Sequence, residues 1–208
     1  MNLMKQIILV LVVLFAGMNL ANGQIETEPE KYGFKVWTGN NVPDFEVTMT
    51  NGKAIKMKKL RGKVVLLDFV GTQCTPCIAG LKKFKKEIFE RFKGKDLVVV
   101  PVIVKYKNEE DIKKFQERFG FDFPFGKDKD RKIANLFFEG GIPRYFVIDR
   151  KGKIVYHGPS YMPGTWEVML DTITKVLESK KLVGYERDNL TIEFLFSLWE
   201  CTGTEGEL

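Results

Sequence analysis

Apolar residues follow two rhythms along this chain, and the switches between them mark its elements. Phe45, Val47 and Met49 alternate with polar neighbours, Asn51-Gly52 supplies a tight turn, and residues 54–57 run on. That pattern predicts a β-hairpin. Residues 63–70 are almost continuously apolar, which predicts a strand covered on both faces. Gly71 and Thr72 end it. The period then lengthens: Ile78, Leu81, Phe84, Ile88 and Phe92 recur at three- and four-residue steps, the signature of an amphipathic helix, and Gly94 closes it. Residues 97–104 predict a second covered strand. Residues 109–119 predict a helix with Ile112, Phe115 and Phe119 on one face, stopped by Gly120. A short aromatic strand is expected over 121–125 and a helix over 130–138, with Ile133, Leu136 and Phe137 inward. Gly140-Gly141-Ile142-Pro143 leads into a strand over 145–149. Lys151-Gly152 turns the chain and residues 153–157 pair back. Trp166, Met169, Leu170, Ile173 and Val176 mark a last helix. Strands alternating with helices predict an α/β fold with parallel pairs, and the final hairpin adds an antiparallel edge.

The flanks break the pattern. Residues 24–43 are polar and turn-rich, with Pro29, Gly33, Gly39, Asn40, Asn41 and Pro43, and read as a linker or N-terminal extension. Before them, Lys5 precedes an apolar run over 7–16. The run has the length of a signal-peptide core and is too short for an ordinary membrane span. Ala21 and Gly23 fit a cut after Gly23, so residues 1–23 are expected to be a signal peptide and the protein exported. The absence of a cysteine after the run argues against a bacterial lipid anchor. An uncleaved segment would instead hold the domain at the membrane surface. After Lys181 a polar stretch, an apolar stretch over 192–199 and a second polar stretch form a tail not needed to close the fold. Asn189-Leu190-Thr191 matches a glycosylation tripeptide.

Composition narrows the class. The chain has 208 residues, 44% hydrophobic and 29% charged. Those values exclude a disordered chain, a collagen-like repeat and a disulfide-dense miniprotein. One domain with appendages fits the length. The net charge of +6 comes with lysines in mixed-sign company, as in Lys82, Lys83, Lys85, Lys86, Glu87 and Glu90. That is a solvated helix face, and no nucleic-acid partner is expected.

The chemistry lies in Cys74-Thr75-Pro76-Cys77, placed where a covered strand hands over to a helix. A thiolate is the attacking species in thiol–disulfide exchange. At a helix N-terminus the unpaired N–H groups and the dipole favour negative charge, so the Cys74 thiol is expected to be more acidic than a free cysteine. Pro76 suits the first turn because its missing N–H costs nothing there. Cys77 lies inside the helix as the less exposed partner. Zinc would need a second pair of ligands, and His157 and Cys201 are the only other candidates. Haem attachment would need His where Ile78 stands. A static disulfide stays open, although so short a loop stabilises little. No cofactor is implied. Asp68, amid apolar residues six positions before Cys74, is expected to be buried with a raised pKa. Its functional reading is proton acceptor for Cys77; otherwise it points to solvent or meets a backbone partner. Pro143 cannot donate to a ladder and belongs at a strand start or edge.

At these residues the chain resembles the thioredoxin superfamily, and within it the exported TlpA-like and ResA-like thiol–disulfide oxidoreductases. The matching stretches are residues 62–69, Cys74-Thr75-Pro76-Cys77, Gly141-Ile142-Pro143, and Phe146-Val147-Ile148-Asp149 followed by Gly152-Lys153-Ile154. They occur in family order over about residues 40–180. The resemblance implies a thioredoxin-like fold over 44–180: a central mixed β-sheet flanked by helices, with an N-terminal β-hairpin and an inserted αβ element around 109–125. Residues 181–208 stay outside it. By similarity Cys74 is the nucleophile, Cys77 the resolving thiol, Asp68 the buried acid, and Pro143 a cis-proline facing the disulfide. Substrate would meet Gln73, Thr75, Pro76, Ile142 and Pro143.

Some positions depart from that pattern. Gln73 stands where the family usually has Trp, Val70 ends a strand that often ends in Trp, and Gly80 replaces a frequent Glu. Many relatives have Asn in place of Asp68. Peroxiredoxins share the outer fold, but Leu67 and Gly71 stand where a peroxidatic Cys74 would need Pro and Thr or Ser. The expectation is therefore an exported, periplasmic or extracytoplasmic oxidoreductase, acting as a reductase. Its partners would be protein thiols or disulfides and an upstream electron donor or acceptor. The competing reading is a thioredoxin-fold interaction module with a vestigial redox pair.

Overall fold

The computed structural model describes residues 32–159 and 164–189, the last ten by backbone alone. The expected signal segment, the tail beyond 189 and Cys201 lie outside the described residues.

A small antiparallel hairpin comes first: β1 (Glu46–Thr48) and β2 (Ala54–Lys56), with Val47 opposite Ile55. Five strands then form a mixed sheet in the order β5-β4-β3-β6-β7. These are β3 (Val64–Gly71), β4 (Leu97–Lys105), β5 (Gly126–Lys127), β6 (Arg144–Ile148) and β7 (Ile154–Gly158). β3 runs parallel to β4 and antiparallel to β6. Every residue of β3 is buried, as its apolar run, broken only by Asp68, predicts.

Alternation sends successive β3 side chains to opposite faces. Val64, Leu66 and Val70 join Cys77, Leu81, Phe84, Tyr145, Trp166 and Met169 in one core. Val65, Leu67 and Phe69 join Phe34, Val47, Phe137, Phe138 and Phe146 in the other. Helices α1 (Thr75–Lys83) and α4 (Thr165–Asn189) contribute to the first core. α1 continues into a π-helical stretch, Phe84–Glu90, which keeps Phe84 and Ile88 buried. α4 extends beyond Lys181, where the composition changes.

The inserted element is α2 (Glu109–Phe119). The Asn108 side chain caps it by accepting from the Asp111 N–H at 3.0 Å, and Gly120 ends it at φ 67°. The short strand expected over 121–125 lies instead at 126–127. The aromatic run before it is core filler: Phe121, Phe123 and Phe125 pack on one another, Phe121 and Phe125 also on Phe115, and Phe123 on Phe84 and Phe89. The helix expected over 130–138 shortens to α3 (Ala134–Phe137), because Asp128 caps Ile133 and Ala134 from inside the fold. Leu136, expected inward, is 41% exposed on that single turn.

At this margin of the sheet, Pro101 sits within β4 opposite Asp68, while β5 pairs only with Val102 and Ile103. Residues 33–42 run as a strap over the second core. Phe34 and Val42 are buried, Phe34 bridges to Phe138 and Asn41 to Lys153. The Thr38 N–H donates to His157 Nδ1 at 3.2 Å.

Candidate active site

Residues 71–74 form the turn that delivers the first cysteine. The Cys74 N–H donates to Gly71 O, and the Thr72 N–H to Lys105 O at the end of β4. The Thr72 hydroxyl donates to Asp111 Oδ2 at 3.0 Å, tying this turn to the inserted helix. A Cβ on Gly71 would lie 2.8 Å from Ile142 Cδ1, so the strand end lies close against the Ile142–Pro143 loop.

Cys74 is the N-cap of α1, with extended backbone and Pro76 in the first turn. The Cys77 N–H points at Cys74 Sγ from 3.3 Å, so the sulfur takes the place of the usual capping oxygen. Reduced to a thiolate, that sulfur would keep this donor and gain the helix dipole. Cys74 and Cys77 are joined as a disulfide with Cα atoms 5.2 Å apart. Cys74 is partly exposed and Cys77 fully buried, so one sulfur faces a visitor and the other stands behind it. Gln73, Thr75 and Pro76 are exposed around the opening. The Ile142–Pro143 peptide is cis, and Ile142 O lies 3.9 Å from Cys74 Sγ.

Asp68 is 0% exposed, and neither carboxylate oxygen accepts a hydrogen bond from a described residue. Burial alone pushes its carboxyl well above the usual range. By alternation it faces the core that holds Cys77 and Tyr145, its partner across β6.

The structure thus brings Cys74, Cys77, Ile142 and Pro143 together, with Gln73, Thr75 and Pro76 at the rim and Asp68 beneath. Sequence reasoning missed the Thr72–Asp111 link and the contact of Gly80 with Tyr145. A Cβ on Gly80 would lie 2.4 Å from the Tyr145 hydroxyl oxygen. Tyr145 is fully buried within the first core. Gly80→Ala gains up to about 1 kcal/mol of helix propensity and meets an overpacking cost of about 1–3 kcal/mol. The expected result is a lower urea midpoint for the oxidised protein; an unchanged or raised midpoint would contradict this packing.

Comparison with known proteins agrees with this geometry. The family model described as "AhpC/TSA family" matches residues 38–157. The thiol-disulfide oxidoreductase ResA of Bacillus thuringiensis (strain Al Hakam) is 37% identical over 123 residues, covering 58% of this chain and 69% of that protein. A solution structure from Bacteroides thetaiotaomicron, assigned as a protein disulfide isomerase, superposes with a TM-score of 0.66 at 29% identity. The match covers 71% of this chain and 94% of that one. The pneumococcal exposed lipoprotein thioredoxin Etrx1 of Streptococcus pneumoniae strain TIGR4 gives 0.52 at 26% identity, covering 66% and 99%. With a disulfide at the mouth of α1 and these relatives, the chain belongs to the AhpC/TSA family, as a ResA-like thiol–disulfide oxidoreductase of thioredoxin fold.

Proposed function

We propose that the protein works as a reductase of protein disulfides outside the cytoplasm. The observation that carries the mechanism is the arrangement of the two sulfurs: Cys74 at the surface on a helix N-cap, Cys77 sealed behind it. In the dithiol form the Cys74 thiolate attacks one sulfur of a substrate disulfide. A Cys74–substrate disulfide forms, and the other substrate sulfur leaves as a thiolate. Cys77 gives its proton to the Asp68 carboxylate and attacks Cys74 Sγ. The substrate's second thiolate departs and the Cys74–Cys77 disulfide closes. Two electrons pass to the substrate, and an upstream dithiol donor returns them. The Ile142 carbonyl, beside Cys74 Sγ, offers an acceptor to a backbone N–H of an extended substrate. Gln73, Thr75 and Pro76 line the approach.

Export is supported by the apolar run over 7–16 with its small-residue cut site, and by the likeness to an exposed lipoprotein thioredoxin. If the leading segment stays attached, the domain works at the membrane surface. Among the described residues no helix is long and apolar enough to cross a membrane.

Trapping tests the mechanism. The Cys77→Ser protein, incubated with insulin whose disulfides are intact, is expected to accumulate a covalent adduct through Cys74 that dithiothreitol releases. Wild type is expected to pass through this species without accumulating it. Absence of the adduct in the variant, with Cys74 alkylatable, would refute the division of labour between the two thiols.

A further inference from the structure

The loop over 139–143 carries the Ile142 carbonyl to within 3.9 Å of Cys74 Sγ, and the thiol chemistry says nothing of what holds it there. Its outer side is held by the start of the strap. The Glu139 N–H donates to Gly33 O at 2.7 Å, and Lys35 Nζ meets Glu139 Oε1 at 2.8 Å. The approach is close enough to demand glycine: Gly33 has φ +73°, and a Cβ there would lie 2.5 Å from Glu139 O.

Arg144 follows Pro143 directly and is 4% exposed. Its guanidinium donates to Tyr32 O at 2.8 Å and to Pro143 O at 3.4 Å. It lies over the Phe34 ring at 5.0 Å and the Phe138 ring at 5.5 Å. Arg131 reaches the same ring at 5.4 Å and donates to Gly140 O at 3.1 Å. Arg131 is also the non-glycine residue of positive φ, at 58°, among the described residues. Two guanidinium groups and one phenyl ring therefore bracket the loop at its two ends. No carboxylate among the described residues forms an ion pair with Arg144, so its burial carries a desolvation cost that an apolar side chain of similar size would avoid. What the charge gains in return is a grip on two carbonyls and two ring faces.

We propose that Arg144 is a positioning residue for protein substrates. Gripping the strap at Tyr32 and Phe34, it fixes the height at which the Ile142 carbonyl stands beside Cys74. This inference rests on the reading of the Ile142 backbone as the contact for an extended polypeptide. A small disulfide needs the Cys74 thiolate alone; a polypeptide needs the thiolate and the loop. Loss of the grip should separate the two.

The test uses the pre-reduced full chain in single-turnover reaction with insulin and with the small aromatic disulfide 5,5′-dithiobis(2-nitrobenzoate). For Arg144→Met, the second-order rate constant with insulin should fall about tenfold while that with the small disulfide stays within about twofold, a split expected of lost orientation. The glutathione equilibrium of the Cys74–Cys77 pair should not move. Arg144→Lys should fall between. Gly33→Ala, which leaves the guanidinium in place and disturbs the strap, should give the same split. Equal losses on both substrates, or wild-type rates in Gly33→Ala, would overturn the proposal even if Arg144→Met fails to fold. A wild-type protein that reacts with the small disulfide and not with insulin would refute the protein-disulfide reading itself, and this inference with it. Unsplit losses on an active wild type would refute the positioning role alone.

Discussion

Cys74→Ser should abolish insulin reduction, lowering turnover by at least about a thousandfold, the scale on which removing an enzyme's nucleophile acts. The serine hydroxyl can still cap α1, so the fold should survive: the Cys77 N–H finds an oxygen where it had a sulfur. What disappears is an anion available near neutral pH. Among the described residues the thiol that remains is Cys77, which is fully buried and cannot reach a protein disulfide. Turnover coupled to dithiothreitol, with far-ultraviolet circular dichroism to confirm folding, reads the outcome. Activity near wild type would mean that the exposed sulfur is not the one that reacts, and the proposed mechanism would fail.

Asp68→Asn is expected to act twice. The first effect is thermodynamic. Burial raises the folded-state pKa of Asp68 above its unfolded value, which is about 4. Between those two values the folded protein binds more protons than the unfolded chain. Stability therefore falls as pH rises from about 4 to the folded pKa, and levels off above it. Asparagine does not titrate. The variant should match the pH trend of wild type below about pH 4 and become progressively the more stable one above it. The difference is bounded by the penalty of one buried ion, on the order of a few kcal/mol. Urea unfolding of the oxidised proteins from pH 4 to pH 9 measures it; parallel curves for the two proteins would remove the buried-acid account. The second effect is kinetic. Without a proton acceptor below it, Cys77 should resolve the mixed disulfide more slowly, by about a hundredfold. Stopped-flow decay of a fluorescent mixed disulfide on Cys74 gives that rate.

Much of this molecule can be read along the chain because its signals are local. The period change at residue 74 locates α1, Asn51-Gly52 locates the hairpin, and a lone carboxylate in an apolar strand marks Asp68. The misreadings share a cause. Phe121, Phe123 and Phe125 carry the composition of a strand but pack on Phe115 and Phe89 from neighbouring helical segments, and pairing with β4 waits until Gly126. Leu136 continues a helical pattern that the Asp128 cap has already cut short. The strap reads only as a linker or N-terminal extension because its polar residues outnumber Phe34 and Val42, and the backbone partners of both, Phe138 and Gly152, lie more than a hundred residues away. Arg144 falls one position before the apolar run that marks β6, and its burial depends on that same strap. Only its position beside Pro143, at the threshold of a covered strand, hints at it.

Pro101 has a consequence for how these molecules behave together. With β5 only two residues long, the outer margin of β4 over 97–101 is not paired by another strand among the described residues. A bare row of backbone donors and acceptors is an invitation to a neighbouring chain. Proline removes the donor at the β5 end of that row and so shortens the continuous zipper that templated growth requires. Solutions of the protein should accordingly stay free of strand-to-strand stacking, and a residue that restores the missing N–H would make them more prone to fibres.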